Sequence, residues 1–278
     1  MDKSFYTPLE VVNNSIDGQV TKATLPLGKM MLLGIMAGAF IAFGGTASNV
    51  AVHNIANVGL ARTLAGAIFP VGLMLVVLVG GELFTGNCLM IMACIDKKIK
   101  TSQLIRNLVV VYISNLIGAL IVDILVFYSG QFQYTNGGLG AYTIKVAIAK
   151  AGIAPGTAIA SGILCNILVC LAILMAAAAN DVTGKILAIF FPICAFVISG
   201  FEHCVANMYY IPAGMLAATN PQYVAKAEEL YGITASQCSD LLSIGSVPSF
   251  LYVTIGNILG GMVFVGVVCY LSQKKKWK

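Results

Sequence analysis

Charge is what this 278-residue chain has least of: 10% of its residues are Asp, Glu, Lys or Arg, against 59% that are hydrophobic, and the mean hydropathy is +0.91. A soluble domain of this size could not cover its surface with so few polar groups, so the chain reads as an integral membrane protein. A signal-peptide pattern is missing too, because the first 25 residues are polar and include Asp2, Glu10 and Asp17, and the first span is left to direct insertion. The short alternation of a membrane barrel is absent. Long apolar stretches between Gly, Pro and Lys clusters point instead to α-helical spans, in which each backbone polar group finds its partner within its own helix. Histidine occurs only twice. His53 and His203 could supply at most one bis-His haem, and no Cys-x-x-Cys accompanies Cys204 beside His203. A redox enzyme is therefore disfavoured, and neither metal nor cofactor is expected. Of the eight cysteines, Cys88, Cys94, Cys165, Cys170, Cys194, Cys204 and Cys269 fall in or near apolar segments as small packing residues, and only Cys238 sits in a polar loop.

What is present is six apolar stretches. Thr7-Pro8-Leu9-Glu10 reads as a helix start, with Thr as N-cap and Pro at the first helical position, and opens an amphipathic segment to about Val20 that is placed on the membrane surface. The spans are expected at Lys29 to Val52, Leu64 to Ile95, Leu104 to Tyr128, Ala154 to Asn180, Ile186 to Ala218 and Ser249 to Leu271. The second and fifth exceed the ~20 residues that a bilayer requires. Lys and Arg in short loops stay on the cytoplasmic side. With both termini inside, twelve of the 16 basic residues (Lys3, Lys22, Lys29, Lys97, Lys98, Lys100, Arg106, Lys185, Lys274, Lys275, Lys276 and Lys278) are cytoplasmic, and Arg62, Lys145, Lys150 and Lys226 face the other way. That bias gives the net charge of +5 a cause without nucleic acid.

Two of the spans carry charge where Leu or Ile belongs. Gly80-Gly-Glu-Leu-Phe-Thr-Gly-Asn87 interrupts the second and Ser199-Gly-Phe-Glu-His-Cys-Val-Ala-Asn207 the fifth. Each has an upstream Phe-Pro, at Phe69-Pro70 and Phe191-Pro192, and each has an Asn five residues after its Glu, at Asn87 and Asn207. Further landmarks recur in order: Gly34-Ile-Met and Gly162-Ile-Leu, then Asn115-Leu-Ile-Gly-Ala and Asn257-Ile-Leu-Gly-Gly. Three spans per half make the second copy upside down relative to the first. The expected fold is thus all-α, six transmembrane helices in an inverted 3+3 repeat with two broken helices. One channel domain covers 1–278, with an amphipathic segment over 1–25, repeats over 26–130 and 150–272, and a basic tail over 273–278. The insertion from Thr219 to Val247 is expected as a cap or a partner contact.

Helices broken at the midplane leave unpaired N–H groups and a partial positive charge inside the bilayer, a setting for an anion. Gly80, Gly81 and Gly86 permit the backbone that the first break requires. Thr85 and His203 supply donors or acceptors, while Phe69, Leu73, Leu83, Phe84 and Phe196 suit apolar constrictions that exclude hydrated ions. An anion of a weak acid could take a proton from His203, cross as a neutral species and lose it again. Glu82 and Glu202 would repel an anion, so they are expected to accept hydrogen bonds from backbone amides at the breaks. Asn87, Asn207, Asn115 and Asn257 are read as interhelical hydrogen-bonding groups. Asp123 is left open between a subunit interface and the outer end of its span.

Gly-Glu-Leu-Phe-Thr-Gly-Asn at 81–87, Phe-Glu-His-Cys-Val-Ala-Asn-Met at 201–208 and the order of spans resemble the formate/nitrite transporter family, most nearly its hydrosulfide channel branch. The resemblance implies a homopentamer of aquaporin-like protomers in the plasma membrane, each with its own pore for small monovalent anions such as hydrosulfide, formate or nitrite. It also implies His203 as the central pore residue, Thr85 as its partner, and Asn166 as a nearby polar group. Phe69, Leu73, Leu83, Phe84, Val169 and Phe196 would form two constrictions, with Leu83 to Thr85 as the moving part. Lys150 would attract anions in the outer vestibule, or else anchor the interface. Rival readings are an aquaglyceroporin-type channel, which lacks its Asn-Pro-Ala pair here, and a proton-coupled transporter.

Overall fold

The computed structural model describes residues 5–243 and 247–274. Lys3, Lys275, Lys276 and Lys278, assigned above to the cytoplasmic face, lie outside the described residues. Helix α1 (Pro8–Ala23) starts where its signals put it: Thr7 and Glu10 form a reciprocal capping box with Pro8 at the first position. Its apolar face was expected on the membrane surface. Instead Val11, Val12, Ile16 and Ala23 are buried against the protein itself, on the second half of the broken span α4 (Phe84–Ile95), on α7 (Pro155–Ala178) and on the end of α12 (Pro248–Gln273).

Among the described residues six helices are long and apolar enough to cross a membrane: α2 (Leu27–Val52), α3 (Val58–Gly80), α5 (Thr101–Tyr128), α7, α8 (Val182–Ser199) and α12. The long second and fifth spans are each broken. Span two turns at Phe69-Pro70, loosens into a π-helix over Val76–Gly80, loses helical form through residues 81–83 and resumes as α4. Span five ends at Ser199 and resumes as α9 (Cys204–Ala218). Gly80 (φ 104°) and Gly200 (φ 72°) sit where the chain leaves each helix, in a region that side chains other than glycine rarely adopt. Gly86, expected to serve the same purpose, has no such φ. What it supplies is room, since a Cβ there would meet Ile173 at 2.6 Å.

The two halves pack alike. α2 lies along α5 and α7 along α12, and at each crossing a glycine lets backbones touch: a Cβ on Gly118 would strike the carbonyl of Ile35, and one on Gly260 that of Ile163. Between the halves, α6 (Tyr134–Ala151) begins through left-handed Thr135, Asn136 and Gly137. The Thr219 to Val247 insertion forms α10 (Pro221–Tyr231) and α11 (Ala235–Leu242), which pack on α6. Cys238, read as lying in a polar loop, is buried on α11, and all eight cysteines are free. Asp123 is neither exposed nor paired among the described residues: it is buried in α5 with no hydrogen-bond partner for either carboxyl oxygen.

Candidate functional site

Each break is tied to its own half by one asparagine. The Asn115 amide donates to the carbonyls of Gly34 (2.8 Å) and Glu82 (2.9 Å) and its oxygen accepts the Phe84 N–H (3.0 Å). Asn257 repeats this with Gly162 (2.8 Å), Glu202 (2.9 Å) and the Cys204 N–H (2.8 Å). Backbone groups orphaned by the breaks are thus satisfied without water. The Glu82 N–H donates to the Leu33 carbonyl (3.1 Å) and the Glu202 N–H to the Ser161 hydroxyl (3.0 Å).

The carboxylates of Glu82 and Glu202 do something other than expected. Instead of collecting backbone amides, each takes a lysine and an asparagine. Lys22 reaches Glu82 at 3.1 Å and the Asn87 oxygen at 2.7 Å, while the Asn87 amide donates to Glu82 at 2.7 Å and to Asn107 at 2.8 Å. Lys150 donates to both oxygens of Glu202 at 3.0 Å, and the Asn207 amide donates to Glu202 at 2.8 Å. A buried carboxylate needs a charge partner more than it needs a neutral amide, and a lysine can extend to it from a flanking helix. Lys150 lines the vestibule as an ion-paired residue and not as a free cation, with its ammonium 5.1 Å from the centre of the Tyr210 ring. Lys22, Asn107 and Ser161 escaped sequence reasoning. Lys22 had a signal, since it precedes Gly34 by the same spacing as Lys150 precedes Gly162.

Between the breaks, Thr85 Oγ1 and His203 Nε2 lie 2.9 Å apart, both buried. His203 is the N-cap of α9, and its Nδ1 accepts the Ala206 N–H at 3.0 Å. An accepting Nδ1 carries no proton, so the ring is neutral with its hydrogen on Nε2, donated to Thr85. The Thr85 hydroxyl hydrogen is then left to point elsewhere. Asn166 is buried beside them, but it holds backbone: its amide donates to the carbonyls of Thr85 (3.2 Å) and Asn257 (2.6 Å), tying the first resumed helix to α12, whose Asn257 side chain clamps the second break.

A vestibule of about 800 Å³ opens from one face of the molecule and narrows to Phe69, Phe196 and His203. The two Phe rings meet edge to face at 5.6 Å, and Phe196 lies 6.0 Å from the imidazole. Past them is an apolar chamber of about 10 Å³, walled by Leu73, Leu83 and Val169 together with Phe69, Phe196 and His203. That is roughly the space of one water. Ile41 and Ile193 complete its wall; as isoleucines within apolar helices they gave no signal. Phe84, expected in a constriction, is absent from this wall, and its ring packs against Tyr112 at 4.9 Å. Among the described residues no three His, Cys, Asp or Glu side chains gather as a metal site would need.

The family model described as "Formate/nitrite transporter" matches residues 9–271. This chain belongs to the formate/nitrite transporter family. It is 38% identical to a probable formate transporter of Methanothermobacter thermautotrophicus, over 99% of this chain and 100% of the relative. It is 35% identical to the formate channel FocA of Haemophilus influenzae, over 94% and 92%. Among solved structures it is similar to a pentameric formate channel with formate bound, at a TM-score of 0.79 and 35% identity over 90% of this chain and 98% of that one. As a member of the formate/nitrite transporter family the chain is a multi-pass membrane transport protein and not an enzyme, and its two broken helices in an inverted repeat are this family's fold.

Proposed function

We propose that the chain is a channel for small monovalent anions of weak acids. The observation that carries this reading is the buried Thr85–His203 hydrogen bond at the inner end of the vestibule, where two helix breaks and their donors converge behind a phenylalanine pair. An apolar chamber the size of one water strips an ion of its shell, which donors aimed inward must then replace. Formate stands first among the anions because the relatives named above are formate channels or transporters. Hydrosulfide and nitrite share its charge and size, and the leaning toward hydrosulfide moves behind formate. His203 acts in this reading as a fixed neutral donor. To hand a proton to the anion it would first have to become an imidazolium, and Nδ1 would lose its bond from Ala206.

Phe69 and Phe196 form the constriction on the vestibule side and Leu73, Leu83 and Val169 the inner one. Glu82, Glu202, Asn87 and Asn207 hold the breaks, with Asn166 tying the first to α12 and Gly86 giving clearance. The channel is one unit made of the two repeats, assembles as a homopentamer with a pore in each protomer, and sits in the plasma membrane with both termini cytoplasmic, as the lysine bias directs.

Proteoliposome flux of formate, hydrosulfide and nitrite across a pH series, in wild type and His203→Ala, tests this. Flux of at least one of them should be saturable or diffusion-like in wild type and fall by two orders of magnitude in the variant. No flux of any of these anions, or flux indifferent to His203, refutes the reading.

A further inference from the structure

The basic residues expected on the far side of the membrane, Arg62, Lys145, Lys150 and Lys226, all line the one vestibule. Two of them are neutralised, Lys150 by Glu202 and Lys226 by Glu229 at 2.8 Å. Arg62 and Lys145 have no carboxylate within ion-pair distance among the described residues. The Arg62 guanidinium lies against Gly200, where the missing Cβ makes room for it. Lys145 stands 4.4 Å from the centre of the Tyr231 ring. Tyr142 lines the same vestibule.

Two unpaired cations inside a walled vestibule complement a doubly charged oxygen ligand better than a single charge, and a cleft focuses that field. Because Arg62 is seated against Gly200 and Lys145 over the Tyr231 ring, each cation has its own seat, and two carboxylates joined by a short chain suit them better than one compact dianion. The space also separates ligand from cargo: about 800 Å³ in the vestibule against about 10 Å³ behind the phenylalanines. We propose that the vestibule is a binding site for a small dicarboxylate, one carboxylate held by the Arg62 fork and the other by Lys145. Such a ligand enters but does not pass, and so it blocks the pore. Only the blockade rests on the channel reading; the binding does not.

The test is calorimetric titration of malonate, with acetate as the single-carboxylate control, into the full chain purified in detergent at low salt and neutral pH. Saturable binding near one malonate per protomer is expected, weakened about tenfold or more in Arg62→Gln and in Lys145→Gln, as loss of a charge-assisted fork or its counter-cation implies. Acetate should bind at least tenfold more weakly. Elution volume shows whether each variant is folded, and Lys145→Gln stands in should Arg62→Gln fail. Malonate on the vestibule side should slow formate flux in wild type and not in the folded variant. Absence of saturation, unchanged affinity in the folded variants, or equal binding of acetate overturns the site. Malonate binding that follows Arg62 and Lys145 in a protein that passes no formate sustains the site and defeats the channel reading instead.

Discussion

The two helix breaks share one plan and differ in how they finish it. At the first, Lys22 bonds both Glu82 and Asn87, and Asn107 adds a further amide, so every group of the cluster is engaged. At the second, Lys150 donates to both oxygens of Glu202, and the side-chain oxygen of Asn207 has no hydrogen-bond partner among the described residues. The resumed helices differ as well. α9 is 15 residues long and capped by His203, whereas α4 opens as a four-residue turn, Phe84–Asn87, with no side-chain cap. Both breaks are thus fastened by other helices, and the second in addition has its resumed helix capped by a side chain of its own, His203.

Substitutions made in pairs sharpen that contrast. Glu82→Gln leaves Lys22, Asn87 and Asn107 short of a shared carboxylate and should destabilise by about 2–4 kcal/mol, the range for breaking a buried pair reduced for a partly solvated lysine. Glu202→Gln should be milder because its carboxylate is shared by one lysine and one asparagine, where that of Glu82 is shared by a lysine and two asparagines; thermal unfolding of the detergent complex compares them, and a reversed order breaks the contrast. Asn115→Ala and Asn257→Ala each strip three backbone partners and should lose about 2–3 kcal/mol alike, since here the repeats are equivalent. Gly118→Ala and Gly260→Ala push a methyl into a facing carbonyl, at about 1–3 kcal/mol, with Gly118 the worse.

The smallest effect concerns the face that carries α1. There Asp96 accepts from Lys274 at 2.8 Å and from Tyr270 at 3.0 Å, and the Lys274 hydrogen bond holds its carboxyl below the usual 3.8. A lowered value means the stabilisation is complete above the ordinary carboxylate range and fades as pH falls through Asp96's own value. Wild type should exceed Asp96→Asn by less than about 1 kcal/mol near neutral pH, and the two should converge in strong acid. A gap that persists in acid would assign the effect to packing.

The spans, the breaks and the repeat were legible because lipid leaves few ways to place Glu82, Glu202 and His203 in apolar stretches. Asn115 and Asn257 were legible as recurrences but not as the clamps of the breaks. What escaped depended on reach across the fold. Lys22 looked like one more cytoplasmic cation, since nothing local says that its amphipathic helix lies on protein rather than lipid. The carboxylates' true partners followed from that helix and from α6. Phe84 and Ile41 are interchangeable by composition, and only the twist of the break decides that the first faces Tyr112 and the second the chamber.

The central claim is that His203 serves by offering a hydrogen bond from a neutral ring held at a helix N-terminus. Formate uptake into proteoliposomes by His203→Asn and His203→Ala measures it most directly, because Asn can both cap α9 and donate toward Thr85 while Ala can do neither. The account predicts that Asn retains flux within about tenfold of wild type, as loss of one hydrogen bond's geometry implies, and that Ala falls by about a hundredfold or more. Equal flux in wild type and His203→Ala would contradict it.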